Sequence, residues 1–235
     1  MRLHTTTWGS GDRIALLVHG IMSDHRTWRR VGPALAERGY RAVGVDLRGH
    51  GASGRAERPE EYTPWDHADD LVETLPARAE LAIGHSLGGL ALAYAVERLA
   101  PRRAVYADPA WHLPAGEEGY RPELFTQGKS LTRDHIRILN PRWAAEDLDI
   151  ETETIRLWDE RTAHGLVPSV GADLWPVKPA VPSLVLLADP SVLVRPEDAR
   201  TLEERGFRVR SIAGAGHTLH RDDFDGFMTA LDEWI

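Results

Sequence analysis

Short apolar runs that alternate with helical stretches constrain the fold of this chain more than any other feature of its sequence. The runs cover residues 14–18, 42–45, 81–83, 104–107, 184–187 and 207–212. A continuous apolar run such as 14–18 is typical of a strand that is covered on both faces. Strands separated by helices predict a mostly parallel sheet with crossover helices, and residues 2–7 could add an antiparallel edge strand.

Helices are predicted between these strands, at residues 28–38, 64–75, 87–99 and 224–235. The first is followed by Gly39, a residue that commonly closes a helix, and the second is stopped by Pro76. Residues 87–99 are apolar around most of the helix circumference, so this helix should be buried against the sheet. The pattern therefore predicts one α/β domain with helices on both faces of its sheet.

The segment from residue 109 to residue 182 breaks this alternation. It contains four of the eight tryptophans, several prolines and weak helical patterns near residues 131–139 and 150–161. A connection of this length is too long for a plain crossover between two strands. We therefore predict a small helical cap at 109–182, on a core formed by residues 1–108 and 183–235. Two ordinary crossover helices with long loops are the alternative.

Composition and charge narrow the class of protein. The 235 residues include no cysteine, which excludes disulfides and thiolate metal sites. A net charge of -8 disfavours a nucleic-acid partner, because such proteins usually present a basic face. No apolar run is long enough for a membrane span or a signal peptide, so we expect a cytoplasmic protein without membrane association. The sequence does not indicate an oligomeric state.

A G-x-S-x-G pattern lies between a predicted strand and a predicted helix, at Gly84-His85-Ser86-Leu87-Gly88. The chemistry needs a tight strand-to-helix turn that exposes the serine hydroxyl, and the glycines leave room for that turn. The amides at the start of the helix point to where negative charge develops during the reaction. In this context the pattern predicts Ser86 as a nucleophile.

A serine nucleophile needs a base that accepts its proton. His217 lies in a glycine-containing loop, Gly214-Ala215-Gly216-His217, after the last predicted strand and before the last predicted helix. Its position and its loop distinguish it from the other histidines. His220 follows closely and is expected to begin the final helix, so we favour His217 as the base.

Four segments, taken in order, resemble the α/β-hydrolase fold superfamily. His19-Gly20 resembles its oxyanion loop, residues 46–53 its D-x-R-G-x-G-x-S segment, residues 84–89 its nucleophile elbow and Gly216-His217 its histidine loop. The resemblance spans residues 19 to 217. It is highly specific for the fold and much less specific for the reaction.

The resemblance implies an oxyanion hole made of two backbone N–H groups, those of Ile21 and Leu87. Both would act through the main chain, so their side chains can vary. Within residues 46–53, Asp46 and Arg48 are expected to brace loops rather than to take part in catalysis. The closest kind of protein implied is a small, single-domain bacterial serine hydrolase.

The acid of the expected triad departs from the usual pattern. The superfamily's aspartate commonly follows the strand predicted here at residues 184–187, but aligning Pro196 puts Ser191 at that position and Asp189 two residues too early. The other known position follows the strand after the nucleophile helix, where this chain has Asp108. We favour Asp108 over Asp189. Either aspartate could instead cap a turn at the end of a strand.

Substrate contacts are predicted for Trp111, His85 and His112. The tryptophans of the cap segment indicate an apolar or aromatic pocket for a small molecule. The sequence contains no convincing set of metal ligands and no G-x-G-x-x-G phosphate loop, so neither a metal nor a cofactor is expected.

Ser86, His217 and Asp108 together predict a serine hydrolase that cleaves a small ester, amide or lactone through an acyl-enzyme. Two alternatives remain open. The same constellation could support carbon–carbon bond or thioester cleavage. A non-catalytic receptor of this fold could also keep both the serine and the histidine while only binding a ligand.

Overall fold

The structure is a computed structural model that describes residues 1–117 and 119–235. Within these residues seven strands form one sheet, in the order β1-β3-β2-β4-β5-β6-β7. Only β1 is antiparallel to its neighbour, as expected for the edge strand. The strands are β1 (Thr5–Trp8), β2 (Arg13–Val18), β3 (Tyr40–Val45), β4 (Leu81–His85), β5 (Ala104–Ala107), β6 (Ser183–Leu187) and β7 (Arg208–Ser211).

The helices predicted between the strands are present, with differences at their ends and with additional short helices. The segment predicted as one helix at 28–38 is instead a 3-10 helix at His25–Trp28, whose first turn is capped by Asp24 accepting from the Arg26 amide, followed by helix α1. Helix α8, which begins at Pro196, has no predicted counterpart. His220 was expected to begin the final helix, but it lies in the separate short helix α9, and the final helix begins at Phe224. The α-helices are α1 (Val31–Glu37), α2 (Pro64–Thr74), α3 (Leu87–Leu99), α4 (Pro122–Gly128), α5 (Arg133–Leu139), α6 (Ala145–Leu157), α7 (Arg161–Gly165), α8 (Pro196–Glu204), α9 (Leu219–Asp222) and α10 (Phe224–Leu231). Over the described ranges, no helix has both the length and the apolar character that a membrane crossing requires.

The sheet is covered by helices on both faces. Side chains alternate along each strand, so Leu16 and Val18 join one apolar cluster with residues of α2, α3 and α8. Ala15 and Leu17 join a second cluster with residues of α1 and α10. The continuous apolar runs of the sequence therefore supply two cores at once, which explains why they do not alternate with polar residues.

The connection between β5 and β6 contains helices α4 to α7. Part of it has its own small apolar cluster, made of Ile136, Trp143, Leu148 and Ile155. An ion pair joins α6 to the loop before α1, with Arg29 Nε 2.8 Å from Asp147 Oδ1 and Arg29 Nη2 2.9 Å from Asp147 Oδ2. This segment is thus folded on itself and fastened to the sheet-bearing part of the chain.

Candidate active site

Ser86 occupies a strained turn between β4 and α3. Its backbone φ is 51°, in the left-handed region that non-glycine residues rarely adopt. The turn is held because the Ser86 amide donates to the Ala107 carbonyl at 3.0 Å. Gly88 is required for it, since a Cβ there would lie 2.4 Å from the carbonyl oxygens of both Val18 and His19. Strain of this kind persists where the surrounding structure fixes it, and such residues cluster at functional sites.

Asp108 and His217 are directly hydrogen-bonded. His217 Nδ1 lies 2.7 Å from Asp108 Oδ2, and because a carboxylate accepts, Nδ1 is the donor. Asp108 is fully buried, whereas 38% of the His217 side chain is exposed. Asp108 also has a left-handed φ, 42°. The bond fixes the orientation of the imidazole and leaves Nε2 as the nitrogen that can accept a proton.

Ser86 and His217 line the same cavity. The side-chain bond of His217 runs to Asp108, and no hydrogen bond joins Ser86 Oγ to His217 Nε2 in this structure. In hydrolases this contact is often long until a substrate is bound. Asp108 and His217 are therefore already hydrogen-bonded to each other, and Ser86 lines the same cavity as His217.

Asp189, the alternative acid, lies elsewhere. It is exposed, and its contact to the histidine loop is made by its backbone amide, which donates to the Ala215 carbonyl at 2.9 Å. Ser191, at the position where the superfamily's acid is common, instead donates from Oγ to Asp108 Oδ1 at 2.7 Å. The Ala188 amide donates to the same oxygen at 3.3 Å.

His85 and His220 are the other two histidines near His217, and their hydrogen bonds go to groups other than Asp108. His220 is buried, with Nε2 2.7 Å from Thr27 Oγ1 and its ring stacked on Trp28. His85 Nε2 donates to the main-chain oxygen of His217 at 2.9 Å. Burial lowers the pKa of both His85 and His220 well below the ordinary value, so both are neutral near pH 7.

Ile21 and Leu87, the expected oxyanion donors, both line the cavity beside Ser86. Leu87 is the first residue of α3, where amides have no partner within the helix. In the part of the chain that the structure describes, neither amide donates to another backbone group outside regular helices and strands. The two N–H groups are therefore available to an oxygen of a bound molecule.

Two buried histidines support the loop that carries Ile21. His19 Nε2 accepts from the Leu47 amide at 3.0 Å, and His50 Nε2 accepts from the Met22 amide at 3.3 Å. Burial lowers the pKa of His50 to about 3 and also lowers that of His19. Sequence reasoning did not identify this support; the histidine inside the D-x-R-G-H-G segment was the available signal.

The cavity has a volume of about 560 Å³ and a mostly apolar surface. Its apolar residues include Ile21, Met22, Leu113, Phe125, Leu131 and Leu193. The charged side chains on its wall are Arg121 and the ion pair of Glu151 and Arg221, in which Glu151 Oε2 lies 2.5 Å from Arg221 Nη1. A volume of this size suits a small organic molecule.

Two of the three residues predicted to contact substrate are not among the described lining residues. Trp111 is fully buried in the core, with its ring 4.8 Å from that of Tyr106 and its Nε1 3.4 Å from the Gly89 carbonyl. The Trp111 side chain, in the loop that follows β5, packs back against the sheet instead of facing the cavity. His112 is half-buried and also lies outside the lining, whereas His85 belongs to it.

The tryptophans of residues 109–182 do not form the cavity wall either. None of the four is among the lining residues in the described ranges, and the aromatic part of the wall comes from Tyr120 and Phe125. Trp143 belongs to the separate cluster between α5 and α6. Trp111, Trp143 and Trp158 are buried in the interior instead, so the abundance of tryptophan did not indicate the lining of the cavity.

A mostly parallel sheet with helices on both faces, with a strained serine turn after β4 and a histidine loop after β7, is an α/β-hydrolase fold. The chain belongs to the alpha/beta hydrolase family, whose model matches residues 15–230.

Individual proteins show the same relationship. The chain is 25% identical over 251 residues to an N-formylmaleamate deformylase of Pseudomonas putida, a match that covers 100% of this chain and 93% of that protein. It is 37% identical over 89 residues to an epoxide hydrolase of Caballeronia sordidicola, covering 37% of this chain and 27% of the relative. Its fold is similar to that of an esterase from Exiguobacterium antarcticum, with a TM-score of 0.79, 18% identity and coverage of 99% and 94%.

Proposed function

We propose that this chain is a serine hydrolase that cleaves a small ester, amide or lactone through an acyl-enzyme on Ser86. The observation that carries the proposal is the 2.7 Å bond between His217 Nδ1 and the buried Asp108 carboxylate, beside the cavity that Ser86 lines. The names of two relatives, an esterase and a deformylase, fit reactions at a carbonyl carbon.

In the first half of the proposed reaction, Ser86 Oγ attacks the substrate's carbonyl carbon while His217 Nε2 accepts the hydroxyl proton. Asp108 stabilises the imidazolium that forms. The negative oxygen of the tetrahedral intermediate accepts from the N–H groups of Ile21 and Leu87. The intermediate then expels an alcohol or an amine, which takes the proton from His217, and the acyl group stays on Ser86.

In the second half a water molecule attacks the acyl carbon and gives a proton to His217. The new intermediate uses the same two N–H groups. Its collapse releases a carboxylic acid and returns the proton from His217 to Ser86 Oγ, so that the enzyme is restored. No metal or cofactor has a role in this sequence of steps.

The same proposal takes residues 109–182 as a cap on the core formed by residues 1–108 and 183–235. It is supported by the lining of the cavity, in which Leu113 and Phe125 of this segment lie with Ser86 and His217 of the core. The apolar wall favours substrates whose acyl or leaving group is apolar and small enough for about 560 Å³.

The test is covalent labelling with a fluorophosphonate probe, together with turnover of a panel of esters, amides, lactones and thioesters. Wild type should be labelled, and Ser86→Ala should lose labelling and turnover while its circular dichroism is unchanged. Loss of a triad serine costs on the order of 10⁶-fold in kcat. Labelling that persists in Ser86→Ala would contradict the proposal. A wild-type protein that is neither labelled nor active on the panel would favour a non-catalytic receptor.

A further inference from the structure

His4, His25 and Asp46 converge where β1 begins beside the end of β3, and they are not among the residues that line the cavity with Ser86. His4 Nδ1 lies 2.9 Å from Asp46 Oδ2, and His25 Nδ1 lies 2.8 Å from Asp46 Oδ1. The ligand-type atoms of the three residues all lie within 4.8 Å of one another. They come from three separate parts of the chain: the residue before β1, the 3-10 helix after β2 and the residue after β3. From this arrangement we infer a binding site for one Zn²⁺ ion.

The donor set suits this ion. Two imidazole nitrogens and one carboxylate are ligands that Zn²⁺ takes in proteins, whereas Mg²⁺ and Ca²⁺ prefer oxygen alone. With Zn–N bonds of about 2.0–2.1 Å and tetrahedral angles, two bound imidazoles have ring centres about 5 Å apart. The ring centroids of His4 and His25 are 5.5 Å apart. The separation of the rings is thus close to that of two imidazoles on a shared ion, and the donor atoms, which lie within 4.8 Å of one another, would draw together on binding.

The three side chains are fixed before any ion binds. Asp46 is fully buried, and its two carboxylate oxygens also accept from the backbone amides of His25 at 2.7 Å and Ala52 at 3.0 Å. His4 is fixed by its main chain, which accepts from the Asp46 amide at 3.0 Å and donates to Ser53 Oγ at 2.8 Å. A metal site that is held in this way loses little conformational freedom on binding.

The balance of protons is simple. In the absence of an ion each Nδ1–H donates to one oxygen of Asp46. For Zn²⁺ to bind, each neutral imidazole loses its Nδ1 proton to solvent and takes one up from solvent at Nε2, so both rings stay neutral and no net proton is released. The ion then binds both Nδ1 atoms and the carboxylate. The amides of His25 and Ala52 continue to hold the carboxylate. Exposure of 39% of the His4 side chain and 20% of the His25 side chain gives the ion a path and leaves a position for water.

The ion would join the edge strand, the loop that continues from Ile21 and the turn after β3. Its expected effect is on stability rather than on the reaction, because none of its three ligands lines the cavity with Ser86. The inference is thus independent of the proposed hydrolase activity. A brace made only of hydrogen bonds is the competing explanation, and it predicts no metal binding.

The experiment is a calorimetric titration of the whole, chelator-treated protein with Zn²⁺ near neutral pH. Wild type should bind one ion saturably. His4→Ala and His25→Ala should each weaken binding by at least the roughly 10–100-fold that loss of an outer-shell partner costs. Exposed His135, on α5, provides the matched control, and His135→Ala should bind as wild type does. His217→Ala should also retain the site.

A second measurement uses the melting temperature. Zn²⁺ should raise the Tm of wild type and of His217→Ala but not that of His4→Ala, and turnover should be unchanged by chelation. His4 is the decisive position because it is exposed, whereas Asp46→Asn replaces a buried acceptor oxygen by a donor and so perturbs the fold itself. The inference is overturned if wild type shows no saturable binding, if His4→Ala binds as tightly as wild type, or if only His217→Ala abolishes binding.

Discussion

Ser191 Oγ donates a hydrogen bond to Asp108 Oδ1 at 2.7 Å, while Oδ2 of the same carboxylate lies 2.7 Å from His217 Nδ1. Ser191 itself accepts from the amides of Leu193 and Val194 at 3.2 and 2.9 Å. Its hydroxyl is thus directed at Asp108 by two main-chain donors. The loop after β6, which commonly supplies the acid in this fold, here supplies a hydrogen bond to Asp108, which directly follows β5.

The first prediction concerns the two candidate acids. Asp108→Asn should lower kcat by roughly 10⁴-fold, because an amide neither holds the productive tautomer nor stabilises the imidazolium. Asp189→Asn should stay close to the wild-type rate, since Asp189 is exposed and does not contact the His217 ring. Steady-state kinetics on one substrate, with both variants assayed side by side, decides between them. The reverse result would make Asp189 the acid.

The second prediction uses the nearness of Ser191 to Asp108. In Asp108→Asn, a further Ser191→Asp change puts a carboxylate within reach of the same imidazole, and kcat should rise by roughly tenfold or more, which is about 1.4 kcal/mol of barrier. The matched control is Asp108→Asn with Ser191→Asn, which has the same shape without the charge and should not recover. Equal rates for the two double variants would show that a carboxylate at 191 does not reach His217.

The strands, the serine turn and the histidine loop could be predicted because each depends on local sequence. The local sequence shows both an apolar run that is buried on two faces and a glycine that must approach a neighbouring strand. Gly88 is an example, since any side chain there meets the ends of β2. The choice of Asp108 was also local, because it follows the strand next to β4.

Other features depend on contacts between segments that are far apart in the chain. The hydrophobic periodicity of a sequence does not show which distant segments will be in contact. Trp111 was predicted to contact substrate, yet it packs with Tyr106 and Phe207 in the core. The bond from Ser191 to Asp108 joins residues that are 83 positions apart. Helix α8 was missed although Pro196 stands at its first turn, because the surrounding residues are mostly charged and carry a weak apolar pattern.

The third prediction assigns His85 as a positioning residue for His217. Its Nε2–H donates to the main-chain oxygen of His217 at 2.9 Å, so His85→Phe should loosen the histidine loop and lower kcat by about tenfold, with a smaller change in KM. His85→Gln can still donate and should recover part of the loss. If His85 were only structural, both variants would have a lower Tm, but kcat would not fall in the order wild type, His85→Gln, His85→Phe. Equal kcat values for His85→Phe and His85→Gln would contradict the assignment.

The last prediction concerns the pH dependence of stability. His67 lies on α2, is fully buried, and neither of its ring nitrogens has a partner among the residues that the structure describes. Burial lowers the pKa of His67 well below the ordinary value, so the folded protein keeps this ring neutral. In the unfolded chain a histidine takes up a proton below about pH 6.5.

The sign follows from this difference. Above pH 6.5 both states leave His67 neutral, and it adds no pH dependence. Below that pH the unfolded state binds a proton that the folded state does not, so the free energy of unfolding falls by about 1.4 kcal/mol per pH unit. His67→Leu removes this contribution and also removes two unpartnered polar atoms. Compared with wild type, the variant should therefore gain about 1.4 kcal/mol between neutral pH and roughly pH 5.5, one unit below the ordinary pKa.

Urea unfolding at several pH values measures this gain directly. The control is His164→Leu at an exposed position, which separates the effect of burial from that of losing a histidine. If the stability curves of wild type and His67→Leu run parallel across this pH range, His67 takes up its proton equally in both states. The buried ring would then have to reach a proton acceptor or solvent in the folded protein, against its burial on α2.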